Sequence, residues 1–144
     1  MEVIYIKDLK KLVKKIGEYQ LKNSNTDLTV KKKSSAIDLV SEIDKNSEKM
    51  IVEWIDNKFQ KHNILAEEQG SRDNDSKYTW VIDPLDGTTN YIHGFPIFSI
   101  SIALMKEEKP ILGLIYAPYL DELYYAIENK GAYLNGSKIY VSKE

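Results

Sequence analysis

Residues 80–96 read WVIDPLDGTTNYIHGFP, and two aspartates dominate this stretch. Asp83 and Asp86 stand three positions apart, and Pro84 directly follows the first of them. The run Gly-Thr-Thr-Asn at 87–90 follows the second aspartate and begins with a conformationally free residue. Taken alone, Asp86-Gly87 is typical of an ordinary surface turn. The other interpretation is a place where metal ions meet a phosphate, and the rest of the chain has to decide between the two.

The segments around this stretch predict a sheet. Residues 79–83 (TWVID) predict a strand, because Pro84 favours an extended conformation at Asp83. Asn135-Gly136 predicts a tight hairpin. Large apolar residues alternate with small ones in 98–105, which suggests that another layer packs closely on the small face. Four further strands are predicted from β-branched and aromatic residues: FSISIALM (98–105), ILGLIYAP (111–118), ELYYAIE (122–128) and KIYV (138–141).

Helices are predicted before the sheet. Apolar residues recur every three or four positions in 8–22 and again in 45–62, which predicts two amphipathic helices. Asp44 is predicted to cap the second helix. Residues 27–44 are predicted to be β-leaning and then irregular, 63–69 to form a short buried strand that ends in Glu67 and Glu68, and 70–78 to form a mobile loop. The expected fold class is α+β, with helices packed on a mostly antiparallel sheet.

Composition narrows the functional classes. The chain has 144 residues, a length typical of one domain, and no linker marks a second one. Its net charge of −2 argues against a nucleic-acid partner. Cysteine is absent, which excludes thiol catalysis and Cys-ligated zinc, and Arg72 is the only arginine. The N-terminus does not resemble a signal peptide, and no apolar run reaches membrane-spanning length. A cytoplasmic protein without a membrane partner is therefore expected.

Acidic residues fall at the predicted element boundaries: Asp44, Glu67, Glu68, Asp83 and Asp86. Strand ends on one edge of a sheet converge, so these side chains are expected to share a site. Clustered carboxylates resist ionisation unless cations hold them. Oxygen ligands without His or Cys suit Mg²⁺, and His62 and His93 are assigned no metal. The set as a whole favours a metal and phosphate site, although each residue alone has a simpler structural explanation.

The stretch WVIDPLDGTTNYIHGFPIFSISIAL (80–104) closely resembles the first signature of the inositol monophosphatase family, Asp-Pro-x-Asp-Gly-Thr-x-Asn. Residues 39–44 (LVSEID) and 64–70 (ILAEEQG) resemble two further elements of that family, in the same order. The resemblance implies that residues 1–144 are the N-terminal metal- and phosphate-binding domain of a layered αβαβα sugar phosphatase. The second family signature, Trp-Asp-x-Ala, does not occur here, so the C-terminal domain is expected to be absent.

The resemblance also implies roles for individual residues. Metal ligands would be Glu67, Asp83, Asp86 and the carbonyl of Leu85, which together would hold Mg²⁺ ions. Catalysis would use Thr88, backed by Asp44, to position the attacking water, with Glu67 contributing through a metal ion. Phosphate would be bound by the amides of Gly87 and Thr88, near Asp86 and Lys33. For Lys33, a solvated charge run is nearly as good an explanation.

The implied activity is Mg²⁺-dependent hydrolysis of inositol monophosphate, a small phosphate monoester, by a protein that is a homodimer in its full-length form. The residues GTTNYIHGFP (87–96) favour the inositol branch over the nucleotide and fructose bisphosphatases. A 3′(2′),5′-bisphosphate nucleotidase and a fructose-1,6-bisphosphatase remain alternatives. A non-catalytic binding or assembly fragment is the alternative of another class, and it follows from the missing second signature. The isolated chain is expected to have little or no activity.

Overall fold

The computed structural model describes residues 2–24 and 33–143, which form three helices and one sheet. The helices are α1 (Glu2–Ser24), α2 (Lys33–Lys58) and α3 (Thr88–Ile92). The strands are β1 (Asn63–Leu65), β2 (Tyr78–Asp86), β3 (Ser99–Lys106), β4 (Lys109–Ala117), β5 (Glu122–Ile127), β6 (Gly131–Leu134) and β7 (Ser137–Ile139). The α+β fold class predicted from the sequence is confirmed.

The seven strands form one sheet in the order of the chain, β1 to β7. Strands β2 to β7 pair antiparallel as a meander, whereas β1 pairs parallel to β2. Leu134 pairs with Ser137 across the turn at Asn135-Gly136, which confirms the predicted hairpin. Strand β6 was not among the segments predicted as strands. Its four residues include Gly131 and Ala132, which carry little β-propensity, so pairing with β5 and β7 determines its conformation.

Helices α1 and α2 cover one face of the sheet. The side chains of Leu9, Val13 and Ile16 in α1 are buried, as are those of Ile51 and Ile55 in α2. They join a core cluster with the inward-facing residues of the sheet, which include Trp80, Ile82, Ile100, Ile102, Leu104, Leu112 and Leu114. Both predicted amphipathic helices are thereby confirmed, and their apolar faces account for the stability of the two layers.

The observed extent of α2 contradicts two predictions. It begins at Lys33, so the described part of the segment predicted to be β-leaning and irregular is helical, while residues 25–32 lie outside the described chain. Asp44 is therefore an interior helical residue and not a cap. Burial of Ala36, Val40 and Ile43 continues the face that carries Ile51, because their spacing matches the helical period. Packing against the turn at 84–91 overrides the local β-propensity of this segment.

The second face of the sheet carries the small residues. Ser99, Ser101, Ala103 and Met105 are half-buried there, opposite the buried residues of β3. A cavity of about 370 Å³ opens on this face above β3, β4 and β5, and it is lined by residues such as Ala103, Gly113, Ala126 and Tyr133. Because α1 and α2 lie on the other face, the expected close-packing layer is not part of the described chain, and it stays a prediction.

An aromatic cluster joins the end of α2 to β2. The rings of Trp54 and Trp80 are 5.7 Å apart at an interplanar angle of 85°, and Phe59 lies beside both. His62 stacks between Phe59 and Tyr78, and the indole Nε1 of Trp80 donates a hydrogen bond to its Nδ1 at 3.1 Å. Burial lowers the pKa of His62. The imidazole is thus built into the packing as a neutral acceptor.

Residues 63–69 were predicted as one strand and 70–78 as a mobile loop, but β1 ends at Leu65 and β2 already begins at Tyr78. Residues 66–77 contain no regular strand, and several contacts hold them. The backbones of Ile64 and Arg72 exchange hydrogen bonds of 2.9 and 2.7 Å. The guanidinium of Arg72 pairs with Asp56 of α2, and the side chain of Asn63 bonds to the backbones of Asn74 and Ser76. Within the described residues, no helix is both long and apolar enough to cross a membrane.

Candidate metal and phosphate site

The acidic residues predicted to converge line one cavity of about 330 Å³. It lies where β2 ends, where the chain leaves β1 and where the middle of α2 passes above them. Its lining consists of Asp44, Glu67, Glu68, Asp83 and Asp86 with Leu85, Gly87 and Thr88, beside Ile37, Val40, Ser41 and Ile92. Five carboxylates therefore share one small space with a threonine hydroxyl and a glycine turn.

A β-bulge places Asp83 and Asp86 on one side of the sheet. Asp83 lies opposite Ser101 and Asp86 opposite Ser99, so β2 has one more residue than β3 in this interval. In a regular strand, side chains three positions apart point to opposite faces. The extra residue compensates for this, since Ser99 and Ser101 share a face. Asp-x-x-Asp can supply two convergent carboxylates here because the strand is bulged.

Gly87 connects the second aspartate to α3 through a left-handed backbone conformation with φ of 89°. A Cβ at this position would come within 3.0 Å of the carbonyl oxygen of Ile97 and 3.4 Å of the Cα of Phe98. Both the dihedral angle and the space therefore require glycine. The close approach lets α3 begin at Thr88, directly after the carboxylates, and brings the threonine into the cavity.

Helix α2 supplies the opposite wall. Asp44 faces the cavity from its middle, and Glu48, one turn later, is fully buried. The carboxylate of Glu48 accepts hydrogen bonds from the backbone amides of Glu68 at 2.8 Å and Gln69 at 2.6 Å. These two bonds fix the chain directly after Glu67 and so determine where Glu67 and Glu68 enter the cavity.

The carboxylates influence one another strongly. Burial, together with the negative charges of Glu68, Asp83, Glu48 and Glu67, raises the pKa of Asp44 to about 7. Burial and the charges of Asp86 and Glu67 also raise the pKa of Asp83, against the opposing effect of a backbone hydrogen bond from Leu85. The side chains of these residues are therefore close enough to disfavour full ionisation in the absence of a cation.

The structure brings together nearly all the residues predicted for the site, and their assigned roles stay predictions. Lys33 is the exception, because its side chain lies outside the described part of the chain. Glu48 was not among the residues predicted for the site. A helix continued through Asp44 would have indicated it, since residues four apart share a helical face. Across residues 2–24 and 33–143, no group of three acidic or histidine residues is arranged so that it could hold a metal ion by itself.

Comparison with known proteins agrees with the fold and with the sequence motifs. The sequence pattern of the inositol monophosphatase family matches residues 3–144. The fructose-1,6-bisphosphatase/inositol-1-monophosphatase of Aquifex aeolicus is 51% identical over 104 residues, which cover 72% of this chain and 39% of that protein. The inositol monophosphatase of Dictyostelium discoideum is 42% identical over 141 residues, which cover 96% of this chain and 52% of that protein.

Among solved structures, the extragenic suppressor protein suhB of Bartonella henselae superposes with a TM-score of 0.83 at 32% sequence identity. The match covers 100% of this chain and 56% of the suhB chain. This chain thus spans roughly half the length of the proteins that it resembles. The match over almost all of its residues leads to one conclusion: the chain belongs to the inositol monophosphatase family.

Proposed function

We propose that this chain is the metal- and phosphate-binding part of a Mg²⁺-dependent phosphomonoesterase that hydrolyses inositol monophosphate. The observation that carries the proposal is the cavity in which five carboxylates meet the Gly87-Thr88 turn. Relatives named inositol monophosphatase support a phosphatase, and the residues at 87–96 favour the inositol branch. In this proposal, residues 1–144 form the N-terminal domain.

The residues of the cavity fit a hard divalent cation. All of its charged lining groups in the described chain are carboxylates, and no basic side chain is among them. Oδ1 of Asp44 is buried and has no hydrogen-bond partner in the described residues, as expected for an oxygen that a proton or a cation would satisfy. Since the described residues form no closed ligand set, water and the substrate phosphate would complete the coordination, which is usual for Mg²⁺.

In the proposed site, Glu67, Asp83, Asp86 and the carbonyl of Leu85 hold Mg²⁺. A Mg²⁺ ion held there would supply Lewis-acid chemistry, by making the attacking water more acidic and by neutralising charge on the phosphate and the leaving oxygen. Thr88 orients that water through its hydroxyl, and Asp44 faces the same cavity, where it accepts a proton. The amides of Gly87 and Thr88 bind phosphate oxygens. Lys33 would add a positive charge near the phosphate.

Phosphate release by the full-length protein tests the proposal. The substrates are inositol 1-phosphate, fructose 1,6-bisphosphate and 3′-phosphoadenosine 5′-phosphate, each assayed with Mg²⁺ and with a chelator. We expect Mg²⁺-dependent hydrolysis with the highest kcat/KM for the inositol phosphate. A preference for the nucleotide would contradict the inositol assignment. Hydrolysis that persists in the chelator would contradict the role of the metal.

Fructose-1,6-bisphosphatase activity is the second candidate, because the Aquifex aeolicus relative carries both activities in its name. Comparable kcat/KM values for the two sugar phosphates would favour a dual phosphatase. If the full-length protein neither binds Mg²⁺ nor releases phosphate from any substrate, the non-catalytic binding module becomes the better description. Phosphate release together with a measurement of Mg²⁺ binding therefore separates all of these functions. A cytoplasmic location and a homodimer belong to the proposal as well, and size-exclusion chromatography with light scattering would check the dimer.

A further inference from the structure

Gln20 is a fully buried polar residue that does not itself line the cavity. It lies near the end of α1, and its side chain reaches between α2 and the turn that carries the acidic residues. A buried amide is costly unless its hydrogen bonds are made. The hydrogen bonds of Gln20 therefore indicate which parts of the structure it holds in place.

The two N–H groups of the Gln20 amide have two acceptors, whereas its buried Oε1 has no hydrogen-bond partner among the described residues. Nε2 donates to the carbonyl oxygen of Pro84 at 2.7 Å and to Oγ of Ser47 at 3.1 Å. The Ser47 hydroxyl donates its own hydrogen to the carbonyl of Ile43 at 2.7 Å, so its oxygen is free to accept. Because both partners are acceptors, the orientation of the amide follows from chemistry.

The bond to Pro84 fixes the peptide plane between the two aspartates. No peptide bond in the described residues is cis, so the carbonyl of Pro84 and the N–H of Leu85 point in opposite directions. With the carbonyl held toward Gln20, the N–H of Leu85 faces the other way, and this same N–H acts to lower the pKa of the Asp83 carboxylate. Gln20 thus acts on Asp83 through one rigid peptide unit.

The backbone of Gln20 holds the far side of the same turn. The hydroxyl of Tyr91, in α3, donates to the carbonyl oxygen of Gln20 at 2.6 Å, and both groups are buried. Pro84 precedes the Asp86-Gly87-Thr88 sequence and Tyr91 follows it. One residue of α1 therefore contacts both ends of the turn.

We infer that Gln20 is a positioning residue for the candidate site, holding the turn 84–91 at both ends so that Asp83, Asp86 and Thr88 keep their mutual geometry. The inference rests on the proposed function for its catalytic meaning. Its structural content, a turn held from α1, is independent of that function.

The test uses the full-length protein and the variant Gln20→Met, which keeps the length of the side chain and removes both N–H donors. Tyr91→Phe is the second variant, and it releases the other end of the turn without changing the ring. Ile51→Val, in the core away from the turn, is the matched control for a general loss of stability. The first readout is a Mn²⁺ titration followed by electron paramagnetic resonance. The second is the amide hydrogen-exchange rate of Leu85 relative to that of Ile102 in metal-free protein.

We expect Gln20→Met to raise the Mn²⁺ dissociation constant about tenfold, a typical effect of removing a group that supports a metal ligand. Exchange at Leu85 should accelerate more than exchange at Ile102, and Tyr91→Phe should change both quantities in the same direction by less. Ile51→Val should change neither the dissociation constant nor the ratio of the two rates. An unchanged ratio in both Gln20→Met and Tyr91→Phe would overturn the inference even if the wild type is an active phosphatase. A wild type that binds no metal would overturn the proposed function, and the exchange ratio would still decide the role of Gln20.

Discussion

Asp83 and Asp86 are both proposed as metal ligands, but their side chains differ in how exposed they are. Asp83 is half-buried within β2, whereas Asp86 is exposed at the end of that strand. The negative charges of Asp86 and Glu67 raise the pKa of the Asp83 side chain, whereas the backbone N–H of Leu85 acts to lower it. Asp83 therefore interacts with two of the other proposed ligands, and a change there should affect every ion that the site holds.

Asp83→Asn should abolish detectable Mn²⁺ binding, because the half-buried carboxylate that interacts with both Asp86 and Glu67 loses its charge. Asp86→Asn should weaken binding by about tenfold, since a more exposed carboxylate at the rim contributes less. The measurement is a Mn²⁺ titration of the wild type and of both variants, and circular dichroism would verify that the variants fold. Equal losses from the two substitutions would contradict the assigned ligand roles.

The residues that short-range motifs identify were predictable from the sequence, and those identified by distant contacts were not. Asp83, Asp86, Gly87 and Thr88 lie within six positions, so their spacing was visible at once. The bond from Gln20 to Pro84 joins residues 64 positions apart, and nothing in the local pattern of α1 indicates it. Glu48 likewise acts on backbone amides 20 and 21 positions away.

At the scale of elements, α1 lies so close to the sheet that one helical position has room only for hydrogen. A Cβ on Gly17 would be 2.6 Å from Cε1 of Tyr116 and 3.0 Å from Cγ of Pro118. The ring of Tyr116 cannot easily withdraw, since it is buried and its hydroxyl donates to Asp121 at 3.0 Å. Glycine weakens a helix, so its presence here marks the contact between α1 and the end of β4.

Gly17→Ala should lower the free energy of unfolding by about 1 kcal/mol, because overpacking outweighs the gain in helix propensity. Gly113→Ala in β4 is the matched control: its Cβ would meet no atom within 4 Å, and the change should be neutral or slightly stabilising. Urea denaturation of both variants measures the difference. A Gly17→Ala protein as stable as Gly113→Ala would show that the helix shifts without cost.

The elements themselves were predictable to different degrees. The meander from β2 to β5 followed from β-branched and aromatic runs bounded by turn residues, and the amphipathic face of α1 followed from its period. The prediction that residues 33–44 are β-leaning and then irregular was wrong. Their β-branched residues favour strands locally, but their apolar positions belong to one helical face. The helical face is used by the cluster under the turn, which is formed by Val40 and Ile43 with Leu85, Tyr91 and Phe98.

The acidic cavity should also make the stability of the whole molecule depend on pH. In metal-free protein the folded state raises the pKa of Asp44 from 3.8 to about 7, so the folded state holds this proton more tightly than the unfolded chain does. The free energy of unfolding should therefore fall as pH rises from about 4 to 7 and then level off. The raised pKa of Asp83 also lowers the free energy of unfolding as pH rises. The lowered pKa of His62 has the opposite effect, so its contribution to stability increases as pH rises.

Asp44→Asn should flatten this dependence, because the asparagine cannot ionise. Thermal unfolding of the wild type and the variant between about pH 4.5 and 8 in a chelator provides the comparison. The difference between the two proteins isolates Asp44 from the other titrating groups. A difference in stability that does not vary with pH would contradict the raised pKa.

The sheet could be predicted from the sequence, but the identity of the layer on its second face could not. Alternation in β3 correctly separated a buried face, with Ile100 and Ile102, from a face of small residues. The sequence motif indicated the family and the edge of the sheet at which the site lies. The alternation in β3 does not indicate which layer covers the face of small residues. That layer would consist of atoms outside β3 and outside the other strands of the described sheet.

The aromatic cluster has an optical consequence. Trp54 and Trp80 are the two tryptophans of the chain, and their rings are in edge contact. Tryptophan fluorescence therefore reports from a single place, the junction between the end of α2 and the start of β2. Trp80 lies three residues before Asp83 on the same strand, with its indole bonded to His62. Emission should change when that junction opens and remain constant when β6 and β7 separate from the sheet, so a fluorescence melt follows one end of the molecule while circular dichroism averages over all of it.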